Sequence, residues 1–124
     1  MARDSVTLEK SKNFAIRIVR LYQYLCTEKR EYVLSKQLLR SGTSIGANLS
    51  EAIYGISERE FLSKVYISLK ECAEMKYWLE LLKNTEYLDV FQYQSMDSDC
   101  TELIKLLTAI AKTMSNKLKQ DIRG

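Results

Sequence analysis

The chain has 124 residues, of which 46% are hydrophobic and 28% are charged, and its formal net charge is +3. This length allows one domain with a single core, and the composition is typical of a globular protein. The chain contains no histidine, the commonest general base and metal ligand. Its three cysteines lack the Cys-x-x-Cys spacing of zinc sites, so we expect neither a metal nor a cofactor. The mildly basic charge permits a polyanionic partner without requiring one.

The N-terminal segment, MARDSVTLEKSKNF, has no apolar core of the kind found in secretory signals. No apolar run elsewhere is long enough to cross a bilayer. We therefore expect a cytoplasmic protein that does not enter a membrane. In that reducing compartment Cys26, Cys72 and Cys100 are each expected to be small buried apolar residues.

Apolar side chains recur every three or four residues in four successive segments, which indicates amphipathic helices. The predicted helices cover about 8–28, 31–54, 58–84 and 89–120. Strand and hairpin signals are nearly absent. Short connections between long helices favour an all-α fold, an antiparallel up-down-up-down four-helix bundle, as one domain over residues 1–124.

Capping signals mark the starts of three of these helices. Thr7 is a plausible N-cap for the first. Ser57 and Glu60 have the Ser-x-x-Glu spacing of a capping box before the third helix. Asp89 and Gln92 repeat that spacing before the fourth.

Apolar residues occupy two sides of the third predicted helix. One side carries Leu62, Leu69 and Ala73. The roughly opposite side carries Met75, Trp78 and Leu82. A second apolar face on a bundle helix indicates a partner subunit, so we expect a homo-oligomer.

The segment RSGTSIGANLSEA, residues 40–52, has an unusual content of glycine and hydroxyl residues. It does not match a phosphate-binding loop, because its glycines are four apart, no lysine follows them and no strand precedes them. A helical interpretation fits the spacing better. Gly42 and Gly46 then lie one turn apart and form a slim surface that another backbone can approach closely. Each glycine costs roughly 1 kcal/mol of helix propensity relative to alanine, so this close packing must offset that cost.

Polar residues form a stripe along the same segment. Arg40, Ser44 and Asn48 stack at four-residue steps, and Glu51 follows. Polar groups beside a core must satisfy one another or a partner. Two interpretations remain open: a hydrogen-bond network between helices or subunits, and a site for phosphate or another polar ligand with Arg40 as its charged member.

The runs QLLRSGTSIGANLSEAIYG and ISLKECAEMKYWLELL resemble a bacterial four-helix-bundle family. That family includes proteins encoded in intervening sequences of large-subunit ribosomal RNA genes and the accessory variability determinant of diversity-generating retroelements. The first block matches at Gln37, Arg40, Ser41, Ser44, Ile45, Asn48 and Glu51. The second block matches at Leu69, Glu71, Glu74, Trp78 and Leu81. The chain departs from the pattern at Ala52, where the family usually has glycine.

The resemblance implies a bundle that assembles into a homopentameric barrel. In the retroelement branch that barrel is basic and binds nucleic acid and a reverse transcriptase. A polar interface is then predicted at Gln37, Arg40, Ser41, Ser44, Asn48, Glu51, Glu71, Glu74 and Trp78.

The first functional hypothesis is therefore a small oligomeric protein that binds RNA or DNA, or that assists a reverse transcriptase or a ribosomal RNA element. The candidate phosphate contacts are Arg17, Arg20, Lys36, Arg40, Lys112, Lys117 and Lys119. Five chains of charge +3 would carry about +15, so assembly into a pentamer would concentrate the modest charge of each chain. Most of the eight tyrosines fall at core or interface spacings, so base stacking is only weakly indicated.

The second hypothesis is a scaffold that contacts only protein. Enzymatic activity is not expected. Glu71 and Glu74 could form an acid–base pair, but a di-iron site on such helices requires histidine. The two carboxylates are expected to pair instead with a basic residue such as Arg40.

Overall fold

A computed structural model describes residues 2–123 and the side chains of residues 4–122. The four helices are α1 (Ala2–Thr27), α2 (Leu34–Ile53), α3 (Glu58–Asn84) and α4 (Val90–Arg123). The described residues contain no strand, which confirms the all-α prediction. Residues 1 and 124 of the predicted domain lie outside this range. No helix of the described chain has the length and apolarity needed to cross a membrane.

Successive helices are neighbours and run antiparallel. Lys76 pairs with Asp97, and Glu58 pairs with Lys117. Later residues of α3 therefore lie beside earlier residues of α4, which shows that the two helices are antiparallel. The same reversal relates α1 to α2, α2 to α3, and α1 to α4. The α1–α4 contact is the lightest of the four, and among the described residues the backbones of diagonally opposite helices do not approach one another closely. One shared core therefore lies inside a ring of four helices, open mainly along the α1–α4 side.

The Asp89–Gln92 capping box is confirmed, and Ser57 caps α3 as predicted, although the Glu60 side chain binds the amide one residue before the cap. The Glu60 amide donates to Ser57 Oγ at 3.0 Å, and Glu60 Oε2 accepts from the Ile56 amide at 3.2 Å. The Asp89 and Gln92 side chains each accept a hydrogen bond from the other residue's amide, at 2.7 and 3.0 Å. These exchanges satisfy amides that a helix start otherwise leaves without partners, so they set where α3 and α4 begin.

The starts of the first two helices differ from the prediction. Helix α1 begins at Ala2 rather than near residue 8, and Thr7 is buried inside it instead of capping it. Asp4 and Ser11 are buried on the same side, so small polar residues occupy core positions that the apolar pattern did not reveal. Helix α2 begins at Leu34 rather than 31, because the Glu31 side chain accepts hydrogen bonds from the first amides of the helix.

The two-faced interpretation of α3 is wrong. Met75 and Leu82 are fully buried in the bundle core, and Trp78 is half-buried against it. Leu69 is also half-buried against the core, whereas Ala73 is exposed. Because α3 contacts both α2 and α4, its own bundle covers a wide arc of the helix. The apolar pattern of α3 therefore carries no argument for a partner subunit.

Candidate nucleic-acid interface

The segment RSGTSIGANLSEA is continuous helix within α2, as the helical interpretation predicts. Its two glycines face α1. A Cβ atom added at Gly42 would lie 2.7 Å from Ile18 Cγ1, and one added at Gly46 would lie 2.9 Å from Ser11 Oγ. The slim surface is therefore covered by α1 of the same chain, mainly by the side chains of Ile18 and Ser11.

The polar side of α2 is centred on the Arg40 guanidinium, which contacts two carboxylates of α3. It lies 3.4 Å from Glu71 Oε2 and pairs with Glu74 Oε1. It also donates to Ser41 Oγ at 3.1 Å and to Gln37 Oε1 at 3.4 Å. The Arg40 side chain is still 49% exposed, so the network borders solvent. We call this cluster and the adjoining exposed residues of both helices the α2–α3 surface.

Other predicted members of the interface join this network only in part. Trp78 Nε1 donates to Glu74 Oε1 at 3.1 Å. Ser44 and Asn48 instead donate to carbonyl oxygens one turn back in α2, at 2.6 and 2.9 Å. Glu51 accepts from Lys64 of α3 at 3.2 Å. One cluster therefore contains six of the nine predicted residues, Gln37, Arg40, Ser41, Glu71, Glu74 and Trp78. The other three, Ser44, Asn48 and Glu51, make separate local contacts.

A buried polar contact between α2 and α3 was not anticipated. Ser68 Oγ donates to the carbonyl oxygen of Ile45 at 2.9 Å, and neither residue is exposed to solvent. The only sequence signal is a serine at a core position of α3, which small apolar residues occupy equally well. This bond fixes the longitudinal register of the two helices.

Three of the predicted phosphate contacts are engaged in ion pairs across helices. Arg17 pairs with Asp99 and also donates to Ser95, and Lys117 lies 2.9 Å from Glu58. Arg40 is held by Glu71 and Glu74, as described above. Exposed pairs of this kind contribute little to stability, but they neutralise the cations locally.

The remaining four candidates divide between separate places. Lys36 is the only one of these four that lies on α2, where it is exposed. Arg20 lines a 510 Å³ cavity between α1 and α4, beside Phe91, which is 81% exposed. Lys112 and Lys119 lie together on α4. The seven residues predicted from sequence therefore do not form one patch.

Lys112 and Lys119 border a continuous groove between α3 and α4. Two adjoining cavities of 520 and 440 Å³ share Tyr66, Ser115 and Lys119, and Arg59 completes the basic border. We call this surface the α3–α4 groove. The residues that line it are Arg59, Leu62, Ser63, Tyr66, Leu69, Thr108, Ala111, Lys112, Ser115, Asn116, Leu118, Lys119 and Ile122.

The α3–α4 groove is a positively charged surface. No Asp or Glu is among the residues that line it, and Arg59, Lys112 and Lys119 form no ion pair with another residue of the described chain. Sequence reasoning found the two lysines but missed Arg59 and Tyr66. Their seven-residue spacing on the exposed side of α3 is the signal that could have indicated them.

The cysteines differ in accessibility. Cys72 and Cys100 are fully buried, and Cys100 Sγ donates to the Cys72 carbonyl oxygen at 3.4 Å. The hydrogen bond between their thiols, together with burial, raises the pKa of Cys72 well above its usual value. Cys26 is only half-buried, so the prediction that all three are buried holds for two of them.

We expect iodoacetamide to label Cys26 of the native protein much faster than Cys72 or Cys100. The reagent needs an accessible thiolate, which burial and the raised pKa deny to Cys72. Mass spectrometry of peptides over a labelling time course measures each rate, with protein unfolded in urea as the control. Equal rates at all three cysteines in the native protein would contradict the buried placement.

The fold and these surfaces define an antiparallel four-helix bundle with an ion-paired α2–α3 surface and a basic groove on its α3–α4 side. Residues 3–109 match the family model described as 23S rRNA-intervening sequence protein, and the chain belongs to that family. This confirms the family predicted from the two sequence blocks; the link to retroelement accessory proteins stays a prediction.

A solved structure supports the same assignment. The chain is 53% identical to a protein of unknown function from the S23 ribosomal protein family of Bacteroides thetaiotaomicron VPI-5482, whose crystal structure was determined at 1.70 Å. The TM-score is 0.88, and the match covers 89% of this chain and 98% of that chain. Among curated proteins, none matches the chain.

Proposed function

We propose that this protein is a non-enzymatic homo-oligomer that binds RNA or DNA in the cytoplasm through the α3–α4 groove. The observation that carries the proposal is the absence of any carboxylate along a groove bordered by Arg59, Lys112 and Lys119. A polyanion gains affinity by releasing its counterions to such cations, and no internal partner has to be displaced first.

Assembly would strengthen this interaction. Copies of the groove held in a ring bring many cations to one polyanion, so modest individual contacts combine. We place the subunit contact on the α2–α3 surface, and a pentamer is the stoichiometry that the family resemblance suggests. Support comes from exposed small and aromatic side chains there, notably Ala47 and Tyr77, the latter 61% exposed. Small and aromatic residues of this kind allow close approach and large contact area.

We expect Ala47→Arg to dissociate the oligomer into monomers. Ala47 is exposed within α2, so the arginine fits the isolated subunit but introduces bulk and charge into a packed contact. Light scattering measures the mass, which for a wild-type pentamer is about 72 kDa, five times the 14.4 kDa chain. Ala109→Arg, at an exposed alanine of α4, is the matched control. A monomeric wild type, or dissociation by both variants, would contradict the proposed contact.

We expect the double substitution Lys112→Gln/Lys119→Gln to weaken nucleic-acid binding by about tenfold or more at low salt. Removing two phosphate contacts should also lower the slope of log affinity against log salt concentration by about two. Fluorescence anisotropy with labelled oligonucleotides measures both quantities. The control is Lys12→Gln/Lys29→Gln, which removes the same charge from exposed positions in α1 and just after it. Equal weakening in both double variants would show that only net charge matters.

The alternative is a scaffold that contacts only protein. It is favoured by one observation: Arg17, Arg40 and Lys117 are already engaged in ion pairs. A reverse transcriptase is the protein partner that the retroelement branch of the resemblance suggests. If the wild type binds neither RNA nor DNA at low salt, the scaffold becomes the better proposal. A co-purification experiment with the products of neighbouring genes would then test it.

A further inference from the structure

We infer that the α3–α4 groove takes single-stranded nucleic acid, with one base stacked on the ring of Tyr66. This inference rests on the proposed function, because it specifies the ligand of the same groove. It goes beyond the charge of the groove and uses three further features: an apolar floor, an exposed aromatic ring between cations, and polar side chains with no partner among the described residues.

The floor of the groove is apolar. It is formed by Leu62, Leu69, Ala111, Leu118 and Ile122. A duplex presents phosphates and sugars outward and keeps its base faces stacked inside, so it would leave this floor covered by water. A single strand can turn its bases into the groove and bury their faces against the floor while its phosphates stay at the basic border. The combination of apolar floor and cationic border therefore favours the single strand.

Tyr66 is placed to stack on a base. Its side chain is 48% exposed and lines both cavities, so it stands where the two halves of the groove meet. Lys112 and Lys119 face it from α4, seven residues or about 10 Å apart along the helix axis. That separation leaves room between the two ammonium groups for a base turned inward, with the adjacent phosphates near the lysines. Stacking of this kind accepts any base.

The groove also carries uncharged polar side chains. These are Ser63, Thr108, Ser115 and Asn116. None of the four forms a side-chain hydrogen bond with another residue of the described chain, so their donors and acceptors are available to a ligand. Base edges present matching donors and acceptors. The apolar face of an acidic amphipathic peptide, the other ligand that suits a basic apolar groove, would leave these groups unsatisfied.

The test compares Tyr66→Leu with Tyr66→Phe in the full-length protein. Leucine keeps apolar bulk but removes the aromatic plane, whereas phenylalanine keeps the plane and removes only the hydroxyl. The probes are labelled 20-nucleotide oligouridylate and oligothymidylate and a 20-base-pair mixed-sequence duplex, measured by anisotropy at constant salt. Tyr32→Leu is the matched control, because Tyr32 is 53% exposed between α1 and α2, outside both the groove and the α2–α3 surface. Circular dichroism confirms that each variant is folded.

We expect the wild type to bind both single strands more tightly than the duplex. We expect Tyr66→Leu to lower single-strand affinity by at least about fivefold, and Tyr66→Phe and Tyr32→Leu to leave it nearly unchanged. The two single strands differ in both the 2′-hydroxyl and the 5-methyl group of the base, so the readout is the binding of each strand relative to the duplex.

Two results would overturn the inference in different ways. If the duplex binds as tightly as the single strands and Tyr66→Leu has no effect, single-strand recognition is wrong, while loss of binding in Lys112→Gln/Lys119→Gln would still support the proposed function. If an acidic amphipathic helical peptide binds the groove and no oligonucleotide binds at low salt, both the inference and the proposed function fail.

Discussion

Replacing Gly42 with valine should cost about 3 kcal/mol of folding free energy, the upper end of the usual range for overpacked core sites. A Cβ atom at this position would lie 2.7 and 2.8 Å from Cγ1 and Cγ2 of Ile18. Ile18 is fully buried and branched at Cβ, so it cannot turn away. Since domains of this kind are stable by about 5–15 kcal/mol, the loss is a large part of the total.

Helix propensity alone predicts that Gly42→Val stabilises the protein. Any residue other than proline is a better helix former than glycine, and alanine is favoured by about 1 kcal/mol. Urea unfolding followed by circular dichroism decides between the two effects. Ala109→Val is the matched control, because it places valine at an exposed helical position in α4, away from the proposed subunit contact. A double-mutant cycle locates the clash: Gly42→Ala should cost less in an Ile18→Ala background than alone. If Gly42→Val is as stable as Ala109→Val, the helices do not approach as described.

The second large effect is expected at Glu31, whose side chain caps α2 from outside the helix. Its carboxylate accepts hydrogen bonds from the amides of Ser35 at 2.7 Å, Leu34 at 3.1 Å and Val33 at 3.1 Å. The residue is largely buried, so these amides would have few alternative partners. Glu31→Ala should therefore cost about 2 kcal/mol, the upper end for loss of a helix cap.

The same contacts make stability depend on pH. Burial by itself would raise the pKa of Glu31, but the hydrogen bonds from the three amides outweigh it and hold the pKa below its ordinary value of 4.5. The ionised Glu31 side chain therefore contributes fully to the free energy of unfolding above pH 4.5. This contribution is lost as the pH falls through the lowered pKa of the folded state.

Glu31→Gln should flatten this acid dependence, since glutamine does not titrate. Urea unfolding at a series of pH values between neutral and about 3 measures how the free energy of unfolding depends on pH, because the carboxylates of the unfolded chain titrate in that range. Glu28→Gln, at an exposed carboxylate just after α1, is the control and should keep the wild-type dependence. If Glu31→Gln and wild type lose stability in parallel on acidification, another carboxylate is responsible.

Much of the architecture was predictable because its causes are local. The starts of α3 and α4 follow from Ser57 with Glu60 and from Asp89 with Gln92, which are neighbours in sequence and bind one another in the folded protein. The presence of four helices follows from apolar periodicity, which depends only on residues within a few turns.

The failures of prediction concern contacts between helices. The beginning of α1 was missed because Asp4, Thr7 and Ser11 are polar residues at buried positions, and only the neighbouring helices make those positions buried. Met75 and Leu82 were assigned to an outer face because the arc of α3 covered by α2 and α4 was unknown.

The candidate sites show the same division. Arg40 and Glu74 belong to two recognisable sequence blocks, and the sequence predicted their pairing. The sequence did not predict that Gly42 faces α1.

By itself, the sequence determined the four helices, two of their caps, the pairing of Arg40 with Glu71 and Glu74, and the family, since each depends on residue types at short or recognisable spacings. Only the tertiary structure decided which side of α2 is packed against α1, which cations are consumed by ion pairs, and that Arg59 and Tyr66 join Lys112 and Lys119 in one groove. The physical reason is that rotation and register between helices are set by long-range packing, which no local pattern encodes.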